Sequence, residues 1–335
     1  MKALELAKFG IDHLREVTID DPEPDNGQVL VKFRAASVNY RDYMIAEGLF
    51  APPEDLPVIP LSDGAGEIVA VGQGVSSLQV GDLVTPLFFP RWQSGDALGA
   101  ERSVSTGLEA PGCLREFGAF DETAVVKVAN HLSAEEAACF PCAGLTAWSA
   151  LVTTSGTTSG DVVLVLGTGG VSIFALQFAK ALGATVIVTS SSDEKLAHAQ
   201  ALGADHGINY QTTPEWGLAV KALTDGRGVD VVVEVGGTGT LPQSFKAIRR
   251  GGHIPVVGAL AGAQMDLAVY ELIMTNAHLH GIGVGNRAGY KEMMSFVEQH
   301  RISPVIHQIY SFDEAPTAIR DINEGQHFGK LVVRI

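Results

Sequence analysis

Cysteine is scarce in this chain of 335 residues, which holds only Cys113, Cys139 and Cys142. An odd number spread over so long a sequence excludes a disulfide framework and suits a reducing compartment. Positive charge is short as well. Lys and Arg number 23 against 38 Asp and Glu, a net charge of −15. Clustered cations for a phosphate backbone are therefore missing, and nucleic acid is not an expected partner. The N-terminal MKALELAKFG has no apolar core of the secretory kind. One uncharged run, 162–179, is long enough for a membrane span, but Gly167, Thr168, Gly169, Gly170, Ser172 and Gln177 interrupt it. A strand, a tight turn and a helix fit it better. We expect a cytoplasmic protein with no membrane partner.

With 46% hydrophobic and 18% charged residues, the composition excludes intrinsic disorder. A chain this long suggests about two domains and buries roughly three quarters of its unfolded surface without disulfides or structural metal. The first third reads as β-rich. QVLVKFRAASV at 28–38 and GAGEIVAVGQGV at 64–75 carry strand signatures, with Pro52, Pro53, Pro57 and Pro60 marking a loop between them. A second long loop, 89–112, is rich in glycine, serine and charge, a length uncommon unless functional. Ser133 and Glu136 make a capping box. From about Leu145 strands (162–166, 185–189, 229–235, 253–257) alternate with helices such as 171–182 and 193–202. That alternation predicts an α/β unit with a parallel, right-handed, doubly wound sheet. The tail, 311–335, ends in the strand-like LVVRI, which lacks a partner there and is expected to return to the first domain.

The run VVLVL opens into a helix through Gly167-Thr168-Gly169-Gly170-Val171-Ser172. Strand, glycine turn, helix and a further strand are the context of a dinucleotide fingerprint. Gly167 permits the tight turn, and Gly169 lets backbone approach a pyrophosphate at the helix N-terminus. Ser172 stands where a third glycine is usual. At the end of the next strand, Ser190, Ser191 and Ser192 occupy the place where an NAD-preferring site carries an acid. Asp193 and Glu194 come later, where Ser191 and Glu194 make a second capping box. Small hydroxyls with Lys195 leave room and charge for a 2′-phosphate, so NADPH (NADP) is the expected cofactor.

Five segments together resemble the medium-chain dehydrogenase/reductase superfamily, closest to the zinc-free, quinone oxidoreductase-like branch that includes zeta-crystallin and enoyl reductases. They are Ser37-Val38-Asn39-Tyr40-Arg41-Asp42, Asp63-Gly64-Ala65-Gly66 through Gly72, Ala143-Gly144-Leu145-Thr146-Ala147-Trp148, the glycine turn, and Gly329-Lys330. The resemblance covers essentially the whole chain. It implies a GroES-like β-rich catalytic domain over 1–143, a Rossmann cofactor-binding domain over 144–284, and a return of 285–335 to the catalytic domain. It also implies a homodimer. The free edge strand expected at 278–284 would pair with its two-fold mate.

Zinc members take ligands from a cysteine, a histidine and a third cysteine or acid. By position these are Asn39, Ser62 and Cys142 here, and one ligand cannot hold zinc. No metal is expected. Cys139-Phe140-Pro141-Cys142 is a CxxC, read as two core cysteines rather than a redox pair. His278 and His280 share one face of a strand and, with no third ligand in view, are read as structural.

Without zinc a plain ketone lacks its main electrophilic aid, whereas a quinone or α,β-unsaturated carbonyl is electrophilic by itself. Such a substrate needs orientation and one or two hydrogen-bond donors. Asn39, Tyr43 and Asp42 are the candidate catalytic group. If 40–47 is helical, Asn39 and Tyr43 lie four apart, yet Asn39 is equally an N-cap with Asp42 as its acid. Relatives often carry a tyrosine as proton donor in the turn that here reads Gly48-Leu49-Phe50, and Phe50 cannot donate. Arg41 is read as a surface or salt-bridge residue. Further cofactor contacts implied by position are Thr146, Val171, Tyr210, Val235, Gly236, Val257, Gly258, Val284 and Gly285, with Lys330 on the pyrophosphate. Each could instead serve packing. A metal-free alcohol dehydrogenase working through Ser62 or Tyr43, and a non-catalytic cofactor-binding protein of the crystallin kind, are the alternatives.

Overall fold

The computed structural model describes residues 1–50, 56–97, 99–262, 264 and 269–335; Pro52 and Pro53 of the expected loop fall outside them. The described residues form two compact units, Met1–Leu145 with Gly285–Ile335, and Thr146–Val284.

The chain begins with an antiparallel pair, β1 (Lys2–Leu6) and β2 (Leu14–Thr18). β3 (Gln28–Val38) is the hub of the first unit. Val29, Val31 and Phe33 alternate inward, as a half-buried strand requires, and from Ala35 to Val38 every residue is buried. After α1 (Tyr40–Ala46), β4 (Asp63–Val71) runs antiparallel to β3. A Cβ at Gly66 would lie 2.2 Å from the Lys32 carbonyl oxygen, so only glycine lets the two strands approach there. The strand ends at Val71 rather than 75, because the chain turns at 72–74. β5 (Leu83–Pro86), β6 (Phe117–Asp121) and β7 (Val125–Lys127) follow, then the Ser133–Glu136 capping box and the short α2 (Ala134–Ala137). The equally short α3 (Leu145–Trp148) ends this stretch.

In the second unit the strands are β8 (Val162–Leu166), β9 (Thr185–Ser190), β10 (His206–Asn209), β11 (Val229–Val233), β12 (Ile248–Val256) and β13 (His278–Gly281). Among the described residues they make one parallel sheet of order β10-β9-β8-β11-β12-β13, the reversal of a dinucleotide-binding fold. The helices between them are α4 (Gly170–Ala181), α5 (Asp193–Ala201), α6 (Trp216–Ala222), α7 (Leu241–Ala247) and α8 (Val269–Thr275). β8 and β11 carry near-continuous apolar runs, as strands covered on both faces must. β12 begins five residues earlier than its sequence suggests. Arg249 and Arg250 look like loop, but Arg249 and Arg227 both bind Asp230 of β11. Burial pushes the Asp230 carboxyl up, and the hydrogen bonds from Arg227, the Val162 N–H and Arg249 outweigh it, holding the group down to about 2.

The remaining residues rejoin the first unit as α9 (Arg287–His300), β14 (Ile306–Tyr310), α10 (Ala315–Glu324) and β15 (Lys330–Arg334). β15 pairs antiparallel with β3, bringing Leu331 opposite Val38, so the C-terminal strand finds the partner expected of it. The sheet order is β14-β15-β3-β4-β5-β7, with β6 also on β3. α10 buries Ala315, Ala318, Ile319 and Ile322, one helical face, in the core of Val29, Val31, Phe33, Leu331 and Val333. Each of those isoleucines contributes about 1.5–3 kcal/mol by leaving water.

Candidate active site

The ladder between β3 and β15 sets Lys330 beside the end of β3, where Asn39 begins α1. Asn39 is its N-cap, with extended backbone (φ −122°, ψ 155°). Its N–H donates to Asp42 Oδ2 at 2.8 Å, half of a capping box. The Asn39 side chain is engaged elsewhere. Its Oδ1 accepts from the Lys330 ammonium at 2.6 Å, and its Nδ2 donates to Ser62 Oγ at 3.4 Å. Lys330 also donates to the Val38 carbonyl at 2.7 Å. Ser62 donates to Asp63 Oδ1 at 2.7 Å, and Asp63 Oδ2 accepts the Cys142 N–H at 3.0 Å. All five residues, Asn39, Asp42, Ser62, Asp63 and Lys330, are less than a tenth exposed. Leu61, just before Ser62, has φ +66°, a strained conformation of the sort found at functional positions.

Burial pushes the Asp42 carboxyl up to about 6, against the nearby Arg41 charge and the Asn39 N–H. Its Oδ1 has no hydrogen-bond partner. Burial also raises Asp63, opposed by Lys330 and by its hydrogen-bond donors. Thiol ionisation is suppressed by burial at Cys113, Cys139 and Cys142 alike. Cys113 and Cys139 are buried, and Cys142 is partly exposed.

Asn39 and Tyr43 hold the helical spacing, but Asn39, as cap, turns its amide toward Ser62 and Lys330. Tyr43 packs beside the core and Tyr40 (ring centroids 5.8 Å apart). Asp42 is a buried capping acid. Arg41 makes no salt bridge among the described residues; it donates to the Ser105 hydroxyl and Thr106 carbonyl, with Phe88 4.8 Å from its guanidinium. The expected pyrophosphate role of Lys330 is corrected too. The residue is 3% exposed, and its ammonium is committed to Val38 and Asn39.

In the second unit, Gly167 ends β8 with φ +71°, where a side chain would be strained, and Gly169 caps α4. The first N–H groups of α4, among them Gly170 and Val171, have no carbonyl partner within the helix. Ser172 fits the third fingerprint position because its hydroxyl donates to the Leu166 carbonyl at 2.7 Å. The α5 cap is Ser192, not Ser191: its Oγ accepts the Lys195 N–H, and the Ser190 hydroxyl accepts the Ser192 N–H. Ser191 is left exposed. The Tyr210 N–H donates to the Ser190 carbonyl. Val235, Gly236, Val257, Gly258 and Val284 follow the ends of β11, β12 and β13. They therefore share the carboxyl edge of the sheet with Gly167 and Ser190, where ligands bind in such folds. Val284 has φ +61°, an outlier for a β-branched residue. Thr146, on α3, is buried, and Gly285 belongs to the first unit.

Glu234 was not foreseen. This fully buried carboxylate accepts from the Gly236 and Gly237 N–H groups and from Thr240 and Ser244, tying down the loop after β11. Its signal was a lone acid in a valine strand, VVVEV. Nor was the third imidazole foreseen. His253 lies opposite His278, with Nδ1 3.0 Å from His280 Nε2, and the three rings stack. Among the described residues no group of three His, Cys, Asp or Glu is arranged to hold a metal. No helix among them is long and apolar enough to cross a membrane.

Two family models match the chain: an alcohol dehydrogenase GroES-like domain over 25–136 and a zinc-binding dehydrogenase domain over 170–299. A zinc-type alcohol dehydrogenase-like protein of Schizosaccharomyces pombe is 41% identical, over 97% of this chain and 96% of that protein. A solved alcohol dehydrogenase candidate of Sinorhizobium meliloti 1021 is 38% identical with TM-score 0.94, covering 100% of this chain and 98% of its own. An NAD-dependent alcohol dehydrogenase superposes with TM-score 0.92 at 32% identity, with both chains fully covered. More distant relatives are named quinone oxidoreductase and acryloyl-coenzyme A reductase, and one solved neighbour is an NADPH complex.

Proposed function

From the membership of this chain in the medium-chain dehydrogenase/reductase superfamily, as an NAD(P)H-dependent oxidoreductase, we propose that it transfers hydride to a conjugated acceptor, a quinone or an α,β-unsaturated carbonyl, without zinc. One observation carries the reading. The positions that hold zinc ligands in relatives hold an amide, a hydroxyl and a thiol kept protonated, and a buried ammonium sits 2.6 Å from the amide. Zinc needs three protein ligands, and a dication beside that ammonium would be repelled. The donor set does not fit zinc.

The bound nicotinamide supplies the hydride. Gly167, Gly169, Gly170 and Val171 hold the pyrophosphate, with Val235, Gly236, Val257, Gly258 and Val284 along the same sheet edge. Ser190, Ser191 and Lys195 favour the 2′-phosphate of NADPH. Asn39 and Tyr43 donate hydrogen bonds to the acceptor oxygen, which gains charge as hydride reaches the conjugated system. A proton then completes the reduction, giving hydroquinone or saturated ketone. Asp42 holds the cap that fixes Asn39.

The second reading, a metal-free alcohol dehydrogenase, is favoured by the Ser62–Asp63 hydrogen bond, a hydroxyl already oriented by a carboxylate. Quinones, enones, aldehydes and alcohols assayed with NADPH and NADH separate the two. Turnover confined to quinones and enones supports the first reading, and turnover confined to alcohols and aldehydes rejects it.

We further propose a homodimer through the free edge of the second unit. β13 ends the sheet there, and Leu279, Tyr270, Ile273 and Met274 are exposed apolar residues on β13 and α8. Light scattering at micromolar concentration should give twice the chain mass, and a monomer would reject the proposal.

A further inference from the structure

We propose that Lys330 is a positioning residue. It locks the Asn39 amide in one orientation and strengthens the N–H that Asn39 offers to the acceptor oxygen. The inference rests on the proposed role of Asn39 as that donor.

An amide side chain has two orientations of nearly the same shape, and only one presents N–H. What selects between them here is a chain of hydrogen bonds with a single polarity. An ammonium has three donors and no acceptor, so Lys330 Nζ, 2.6 Å away, can face only Oδ1. Nδ2 then points at Ser62 Oγ, 3.4 Å away. The Ser62 hydroxyl donates its hydrogen bond to Asp63 Oδ1, leaving a lone pair for Nδ2. The carboxylate is fixed in turn by the Cys142 N–H on its other oxygen. Direction therefore runs from ammonium through amide and hydroxyl to carboxylate. Both ends are buried. The flipped amide would set N–H against ammonium and leave Oδ1 without a donor unless Ser62 abandoned Asp63.

The amide also bonds the Asp63 carboxyl, so an acceptor oxygen takes over the N–H that the long 3.4 Å contact with Ser62 holds. Accepting from a cation at Oδ1 draws electron density from the amide, so this N–H is a stronger donor than that of an unlocked asparagine. The fold holds the lock rigidly. Lys330 lies on β15, its own N–H donates to the Val305 carbonyl at 2.9 Å, and its ammonium also bonds the Val38 carbonyl next to Asn39. A lysine that merely neutralised Asp63 and Asp42 would need none of this alignment.

The test is a double-mutant cycle on kcat, with the acceptor that the wild-type protein reduces. Asn39→Ala, Lys330→Met and the double variant are compared, with cofactor KM measured throughout. Lys330→Met should lower kcat about 10-fold, with cofactor KM little changed, because the donor is weakened and misoriented but not removed. The double variant should be no worse than Asn39→Ala alone, and Lys330→Arg should restore most of the loss. Should Lys330→Met not fold, Lys330→Gln serves, since its amide keeps much of the length but can accept as well as donate. Losses that multiply in the double variant would overturn the lock while leaving Asn39 a donor. An Asn39→Ala variant with wild-type kcat would overturn the donor reading, and the lock with it.

Discussion

The two units build their candidate sites from different atoms. In Thr146–Val284 the candidate site is largely backbone, namely the turn at Gly167, the N-terminus of α4 and the strand ends at Val235 and Val257. In the other unit it is side chains, Asn39, Ser62 and Asp63 with Lys330 behind them, drawn from three separate stretches of sequence. A backbone site depends on local conformation, and local conformation is written locally. A side-chain site depends on which strands become neighbours. That difference predicts unequal sensitivity, with single side-chain changes costing turnover in one unit and binding or preference in the other.

The largest effect is expected at Asn39. Asn39→Ala should lower kcat on the order of 100-fold and change cofactor affinity little, as the loss of one transition-state donor does. If the residue only capped α1, the change would cost about 1 kcal/mol of stability and leave turnover intact. Steady-state kinetics and denaturant unfolding of the one variant decide between them.

In the cofactor unit, Ser191→Asp should reduce the preference for NADPH over NADH by on the order of 10- to 100-fold without changing kcat for the preferred acceptor. Ser191 is the right position because it is exposed, whereas Ser190 is buried and Ser192 caps α5. Equal binding of the two cofactors by the wild type, measured by titration, would remove the 2′-phosphate assignment.

Tyr43→Phe deletes a hydroxyl that is bonded to none of the described residues, so stability should not move. Turnover should fall about 10-fold if that hydroxyl touches the acceptor. Unchanged turnover would remove Tyr43 and leave protonation to solvent.

The smallest effect is expected from the imidazoles of β12 and β13. Burial first, then neighbouring rings, lowers His253 and His280 below 6.5. The folded chain thus binds these protons less tightly than the unfolded chain. Their contribution is complete above that value and is lost as pH falls through it. Asp42 has the opposite sign, since a carboxyl raised to about 6 adds stability as pH falls from there. Comparing wild type with His253→Gln isolates the imidazoles. Between about pH 7.5 and 5.5 the wild type should lose more unfolding free energy. Equal losses would assign the pair no role.

The same contrast explains what could be read from the sequence. VVLVL followed by Gly167-Thr168-Gly169 announces strand, turn and helix because apolar runs and glycines act within a few residues. So does the alternation that gave β3 its bounds. Lys330 and Asn39 lie 291 residues apart; only the pairing of β15 with β3 joins them, and spacing along a chain carries no trace of it. For the same reason Lys330 was expected on a pyrophosphate, and His253 was not counted with His278 and His280. Ser191 was taken for a cap because Ser191 and Ser192 both satisfy cap chemistry, and only backbone geometry selects Ser192.

On the proposed reading, an amide backed by a lysine ammonium takes the place of a metal ion in polarising the acceptor. Turnover of a quinone and an enone with NADPH, by protein stripped of metal with a chelator and then with zinc restored, tests it most directly. Full turnover is expected in the stripped protein, with no gain on adding zinc. Turnover that vanishes on stripping and returns with one zinc per chain would contradict it.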